Sequence, residues 1–240
     1  MSESPKVYLL LGPKGSGRRK IFLDLIQELL ESSSILWFRH CSDSEASYAS
    51  INAQIEDISS LECVQWTLEN SKIKHSTIKA NPDYIFFMAP ADVDLAETIE
   101  GLKGWLNKND CTLTRIITVI HSEMACQNAI ALKWFEASMY FSDIVLLNKR
   151  ELVEGKWVQD FISNYKKRYF PTRFEYVKKD QVSNPMDILD HQVYRNSLYF
   201  DELMPIEEDE FEELQSEDTK EDPYIERLES GKRAKPIPTL

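Results

Sequence analysis

The sequence predicts an α/β fold in which a mostly parallel sheet lies between layers of helices. Short continuous apolar runs, typical of strands buried on both faces, alternate with segments whose apolar residues recur at helical spacing. Strands that alternate with helices in this way form right-handed βαβ units. The chain has 240 residues, of which 42% are apolar and 28% charged, and is large enough for one such domain with a hydrophobic core.

Each predicted element follows from its local pattern. The first strand, 7–11, is a run of five apolar residues that ends at Gly12, and a helical apolar stripe over 21–30 comes after it. Between 43 and 80, serine residues, charges and single aromatic residues indicate helical pieces joined by loop. Further strands are predicted at 35–38, 84–88, 115–120, 144–147 and 174–177, and further helices at 93–106, 125–137 and 156–169.

The net charge of −12 is concentrated towards the end of the sequence. Residues 201–240 contain 14 acidic and 5 basic side chains, whereas residues 1–200 contain 26 and 23. We therefore predict a folded domain over 1–200 and an acidic, flexible tail over 201–240, which cannot bury enough apolar surface to fold alone. A duplex-DNA-binding protein is usually basic, so nucleic acid is disfavoured as a partner. The tail is either a solvated element or a segment that docks on a protein partner. Its interspersed aromatic residues favour the partner.

The sequence favours a reduced, cytoplasmic protein. No apolar run approaches the roughly 20 residues of a membrane-spanning helix, and the first apolar run is too short for a signal peptide, so we expect no membrane contact. The four cysteines have no Cys-x-x-Cys spacing, which indicates neither a disulfide framework nor a standard zinc site.

A glycine-rich turn directly follows the first strand and precedes the first helix. Such a turn can point successive backbone N–H groups at a phosphate. The alternative is a turn that only joins a strand to a helix. We call this turn, residues 12–17, the cradle; its candidate phosphate-binding residues are Gly12, Lys14, Gly15, Ser16 and Gly17.

The two residues after the cradle differ from those of an active phosphate-binding loop. Such a loop continues with a lysine, which reaches the β- and γ-phosphates, and a serine or threonine, which holds Mg²⁺. Here the two positions are Arg18 and Arg19, which keep positive charge but provide no Mg²⁺ ligand, so Mg²⁺ is not expected. With Lys14 and Lys20 they form a basic cluster that could bind a phosphate, a nucleotide or the protein's own acidic tail.

A second motif follows the strand at 144–147. Asn148, Lys149 and Glu151 stand where many GTPases have Asn-Lys-x-Asp, whose carboxylate accepts two hydrogen bonds from guanine. Glu151 provides a carboxylate one methylene group further out. Together with the cradle, these residues predict a site for GTP or GDP.

These motifs resemble, in order from about residue 6 to 189, the CobW/HypB/UreG-type P-loop GTPases, and the CobW branch most closely. Gly12-Pro13-Lys14-Gly15-Ser16-Gly17-Arg18-Arg19-Lys20 is similar to Gly-x-x-Gly-Ser-Gly-Lys-Thr-Thr, and Asn148-Lys149-Arg150-Glu151-Leu152-Val153 to Asn-Lys-x-Asp-Leu-Val. The resemblance implies a three-layer P-loop NTPase-like fold and GTP hydrolysis. It also implies a Gly-Cys-x-Cys-Cys metal motif, of which Glu62-Cys63-Val64-Gln65-Trp66 keeps only Cys63.

The departures from the family pattern all affect catalysis. Besides the two arginines, Met88 replaces the acidic residue after the third strand, and Ala91 replaces the switch glycine. We therefore predict a pseudo-GTPase that keeps some phosphate or guanine-nucleotide recognition and contacts a protein through its tail. The alternatives are an interaction scaffold without nucleotide binding and an active GTP-dependent metallochaperone. Zinc is not expected, because one motif cysteine, Cys63, cannot close a tetrahedral site.

Overall fold

The computed structural model describes residues 4–43, 59–79, 81–201 and 222–240. Within them lie eight strands and six α-helices. The strands are β1 (Lys6–Gly12), β2 (Ile35–His40), β3 (Leu61–Glu69), β4 (Lys72–His75), β5 (Tyr84–Pro90), β6 (Thr112–His121), β7 (Ile144–Asn148) and β8 (Arg173–Tyr176). The helices are α1 (Arg18–Ile26), α2 (Leu95–Asn109), α3 (Ser122–Gln127), α4 (Ala129–Phe141), α5 (Gly155–Lys167) and α6 (Pro185–Leu189).

All eight strands belong to one sheet, in the order β4-β3-β2-β5-β1-β6-β7-β8. Every neighbouring pair is parallel except β3 and β4, which form an antiparallel hairpin at one edge. The strand that leads into the cradle, β1, therefore lies at the centre of the sheet between β5 and β6.

Helices cover both faces of the sheet, because alternate residues of the central strands point to opposite sides. Val7, Leu9 and Leu11 of β1 pack in one core with apolar residues of α2, α4 and α5, whereas Tyr8 and Leu10 pack on the other side with α1 and α6. The predicted three-layer α/β architecture, a mostly parallel sheet flanked by helices, is confirmed.

The prediction of helical pieces between 43 and 80 is wrong for residues 61–75, which form the β3–β4 hairpin. In β3, Val64 and Trp66 are buried while Cys63 and Gln65 are exposed, which is the alternation of a strand with one covered face. The apolar residues are too widely spaced in the sequence to form a continuous run. Residues 44–58 lie outside the described residues.

Two predicted helices have different limits in the structure. The first α-helix ends at Ile26, and a 3₁₀ turn follows at Leu29–Glu31. The helix predicted at 125–137 is divided into α3 and α4 at Asn128, which has extended backbone geometry. Its side chain accepts hydrogen bonds from the backbone N–H groups of Ile130 and Ala131 and so caps α4.

Residues 222–240, which we call the closing segment, differ from the predicted flexible tail because they pack against the domain. Tyr224 is 4% exposed, and its ring lies 5.2 Å from that of Tyr140 and 5.9 Å from that of Phe141 in α4. The Leu240 N–H donates to the carbonyl oxygen of Ala91, in the loop that follows β5, at 2.8 Å. Most of the acidic stretch, 202–221, lies outside the described residues.

The described residues include no helix that is both long enough and apolar enough to span a membrane.

Candidate functional site

The predicted site residues come together at the edge of the sheet where the central parallel strands end. Gly12, the last residue of β1, is in register with Pro90 at the end of β5, and His121 at the end of β6 is in register with Asn148 at the end of β7. This edge is where open α/β sheets bind ligands.

The cradle turns sharply because two of its glycines adopt left-handed backbone geometry. Gly15 has φ 82° and Gly17, which directly precedes α1, has φ 86°. At Gly17 a side chain would also have no space, because a Cβ there would lie 2.4 Å from both Asn148 Nδ2 and Asp180 Oδ1. The backbone geometry at these two positions therefore favours glycine.

Arg18 is turned into the protein and bonds to its main chain. Only 4% of it is exposed, and its Nη1 donates to the carbonyl oxygens of Gly12, at 2.6 Å, and Ala89, at 2.5 Å. Its Nη2 lies 3.0 Å from Oδ2 and 3.3 Å from Oδ1 of Asp43. The guanidinium group thus joins the ends of β1 and β5 to the loop that follows β2.

Asp43 also binds the second arginine. Arg19 Nη2 donates to Asp43 Oδ1 at 3.0 Å, and the Asp43 side chain is completely buried. A short turn after β2, in which the Asp43 N–H donates to the His40 carbonyl oxygen, holds the carboxylate in this position. The two arginines predicted to bind an anion therefore bind a carboxylate of the chain itself.

A second carboxylate, that of Asp180, lies on the other side of Gly17. It accepts hydrogen bonds from Asn148 Nδ2 and Lys149 Nζ, both at 2.7 Å, and forms an ion pair of 3.3 Å with Lys20. Asn148 Nδ2 also donates to the Ser16 carbonyl oxygen at 2.7 Å and thereby ties the end of β7 to the cradle.

The pKa of Asp180 reflects these contacts. Partial burial acts to raise it, but the hydrogen bonds from Lys149 and Asn148 prevail and hold the pKa below its ordinary value. The residue is positioned by a tight turn in which Lys178 and Gln181 form an antiparallel bridge and Lys179 and Asp180 have φ of 53° and 62°.

The acidic side chain that meets Asn148 and Lys149 is that of Asp180, whereas the prediction that Glu151 accepts hydrogen bonds from guanine stays a prediction. Glu151 is exposed on the 3₁₀ turn Arg150–Leu152. Sequence reasoning missed both Asp43 and Asp180. Each lies within a few residues of the end of a predicted parallel strand, and that position could have indicated them.

The side chain of Lys14 is largely exposed to solvent. With 64% of its side chain exposed, it forms an ion pair of 3.2 Å with Asp92, in the loop after β5. The other carboxylate oxygen of Asp92 accepts a hydrogen bond of 3.2 Å from the Ser42 hydroxyl group. The loops that follow β1, β2 and β5 are therefore linked across the open side of the cradle.

The residues of this site do not fit Mg²⁺. The cation takes oxygen ligands, and Arg19 stands where the serine or threonine of a phosphate-binding loop would be. Asp43 binds two arginines, Asp92 binds a lysine and Asp180 binds two lysines, so these three carboxylates already compensate cations of the protein. Cys63 lies on β3, and nowhere in the described ranges do three or more His, Cys, Asp or Glu residues form a group that could hold a metal ion.

No protein-family model matches the chain, and no curated protein matches it in sequence. Solved structures are similar to it at 12% sequence identity. The Zn(II)-bound YjiA GTPase from E. coli has a TM-score of 0.46 over 79% of this chain and 62% of its own, so this chain spans less than two thirds of YjiA. The cell division protein FtsY from Thermotoga maritima has a TM-score of 0.49 over 79% of this chain and 68% of its own. The hydrogenase maturation factor HypB from Archaeoglobus fulgidus has a TM-score of 0.41 over 72% of this chain and 81% of its own. HypB belongs to the family type that the sequence resembles.

Proposed function

We propose that this chain is a pseudo-GTPase, a P-loop protein that does not hydrolyse GTP and acts by binding a protein partner. Recognition of phosphate or guanine nucleotide is weak and serves regulation. The main support is the position of Arg18, whose guanidinium group bonds to Gly12, Ala89 and Asp43 inside the protein.

Phosphoryl transfer requires a metal ion and positive charges placed on the phosphate oxygens. The side chain that would compensate the β- and γ-phosphates is committed to acceptors of the protein, and the position of the metal ligand is occupied by Arg19. At the end of β5, Met88, Ala89 and Ala91 provide neither an acidic group nor the flexibility of a switch glycine. Among the described residues of this site, three positions required for hydrolysis therefore carry other side chains, which supports the proposal.

Weak recognition remains compatible with the site. The first turn of α1 contains no acidic residue, and no side chain caps the helix at Gly17. The N–H groups of this turn and the helix dipole attract an anion. The resemblance to Asn-Lys-x-Asp implies a guanine beside Asn148, Lys149 and the exposed Glu151.

The test is a titration of the full chain with GTP, GDP and ATP by calorimetry, with and without Mg²⁺, together with a hydrolysis assay. We expect weak but measurable binding of at least one nucleotide, little change with Mg²⁺ and no turnover. Turnover stimulated by Mg²⁺ at the rate of ordinary slow GTPases, about 10⁻⁴ per second or more, would refute the proposal.

The second candidate function is an interaction scaffold that binds no nucleotide. The observation that favours it is the pair of carboxylates, Asp43 and Asp180, that lie on either side of the start of α1. The same titration separates the two functions, because a scaffold gives no binding heat with any of the three nucleotides.

The composition of residues 202–221, with ten acidic residues and one basic residue, suggests a partner with a basic surface. We place this interaction in the cytoplasm, where the four cysteines, free in the structure, remain reduced. Pull-down with the full chain and with a chain that lacks 202–221 tests the assignment, which fails if both capture the same proteins equally well.

A further inference from the structure

We infer that Asp43 is a built-in competitor for the oxyanion site of the cradle: its carboxylate takes the place at Arg18 and Arg19 of a phosphate group, which binds only when Asp43 leaves. This inference rests on the weak phosphate recognition in the proposed function and adds how that recognition is limited.

The contacts of Asp43 are those of a bound oxyanion. Its two oxygens lie 3.0 and 3.3 Å from Nη2 of Arg18, and Oδ1 is also 3.0 Å from Nη2 of Arg19. A guanidinium group binds carboxylate and phosphate with the same planar set of donors. A phosphate that binds these two guanidinium groups must therefore compete with Asp43 for the same N–H groups.

The route to this cluster passes Arg19. The side chain of Arg18 is 4% exposed and that of Asp43 is completely buried, whereas the side chain of Arg19 is 18% exposed. A small oxyanion can thus reach Arg19 first and then displace Asp43. The displaced side chain follows a turn at the end of β2 and belongs to a different loop from the cradle.

A second observation, within the cradle itself, points to a ligand. The Ser16 hydroxyl group is completely buried and has no hydrogen-bond partner among the described residues. It lies on the inside of the cradle turn, 3.0 Å from the position of a Cβ on Gly12. A buried hydroxyl group without a partner is costly, and an oxyanion in the cradle would provide an acceptor.

The test compares the affinity of the full chain for inorganic phosphate with that of Asp43→Ala and Asp43→Asn, by calorimetry at low ionic strength. We expect phosphate to bind Asp43→Ala at least about tenfold more tightly, the size of effect expected when one charge-assisted hydrogen bond no longer competes. Asp43→Asn removes the charge without leaving a void, so it provides the test if Asp43→Ala does not fold. A parallel titration with GDP distinguishes a free phosphate from a nucleotide as the source of the oxyanion.

The matched control is Glu136→Ala, which removes the carboxylate that pairs with Arg168 at 2.5 Å and changes the net charge by the same amount. We expect this variant to bind phosphate as the wild type does. The double variant Asp43→Ala with Arg19→Ala should lose the gain in phosphate affinity that Asp43→Ala alone provides. Equal phosphate affinity of the wild type and a folded Asp43 variant would overturn the inference, as would an equal gain in Glu136→Ala. GTP hydrolysis by the wild type, in contrast, would overturn the proposed function.

Discussion

Replacement of Arg18 by methionine tests whether the inward position of this side chain holds the cradle together. The variant keeps a long side chain in place of a residue that is 4% exposed, but removes the partner of the buried Asp43 carboxylate. It also removes the donor to the carbonyl oxygens of Gly12 and Ala89.

Loss of one partner from a buried ion pair costs about 3–5 kcal/mol, because the other charge remains buried without compensation. Arg19 still binds Asp43, so we expect a loss near the lower limit, about 3 kcal/mol of unfolding free energy. The matched control is Arg227→Met, which breaks an ion pair with Glu100 in which the arginine side chain is 45% exposed. An exposed pair of this kind contributes at most about 1 kcal/mol.

The assay is equilibrium unfolding in urea. It compares the wild type, the control Arg227→Met, the single variants Arg18→Met and Asp43→Asn, and the double variant that combines the last two. The double variant should lose less than the sum of its two single variants, because the two side chains interact directly. A loss below about 1 kcal/mol for Arg18→Met, or strict additivity, would refute the reasoning.

Three further predictions concern the closing segment, the cradle and the second carboxylate. Tyr224→Ala should release the closing segment, with a loss of about 3 kcal/mol of docking free energy, seen as faster hydrogen exchange; Leu228→Ala, at a position 51% exposed, should not. Gly17→Ala should lower the unfolding free energy by at least about 2 kcal/mol, because φ is 86° and a Cβ would lie 2.4 Å from two side-chain atoms. Gly104→Ala, at a position with open space around it, should be neutral or stabilising by up to about 1 kcal/mol. Equal losses of unfolding free energy in Gly17→Ala and Gly104→Ala would contradict the argument. Asp180→Asn should be less stable than the wild type at neutral pH. Since the pKa of Asp180 is lowered, its stabilisation is present above about pH 4 and is lost as the pH falls through the folded pKa, so the difference in melting temperature should shrink there. A difference in melting temperature that does not change with pH would show that the ionised Asp180 carboxylate is not the source of the stabilisation.

The central strands could be predicted because they are buried on both faces. Such strands require continuous apolar runs, and the runs at Val7–Leu11 and Ile144–Leu147 are directly visible in the sequence. The β3–β4 hairpin was not predicted, since β3 is covered on one face only and its buried residues Val64 and Trp66 stand between polar ones. Their role depends on packing beside β2, which a local pattern does not contain.

The position of the site could also be predicted, whereas its internal contacts could not. Parallel strands end at the same edge of the sheet, so Gly12 and Asn148 were expected at that edge, whereas their closeness depends on the order β1-β6-β7, which the sequence did not predict. The contact of Asp180 with Asn148 depends on the tight turn at 178–181, and the exposed position of Glu151 depends on the backbone of a 3₁₀ turn. Such loop geometry is set by contacts between residues that are far apart in the sequence.

The order of apolar runs and glycines by itself determined the layered α/β fold and placed a glycine turn between the first strand and the first helix, because secondary structure and strand burial follow from local periodicity. Only the tertiary structure decided that the arginines at that place bind the buried Asp43, and that the closing segment packs on α4 through Tyr224. Both are long-range contacts between side chains, whose energies depend on burial and distance, and these quantities exist only once the chain has folded.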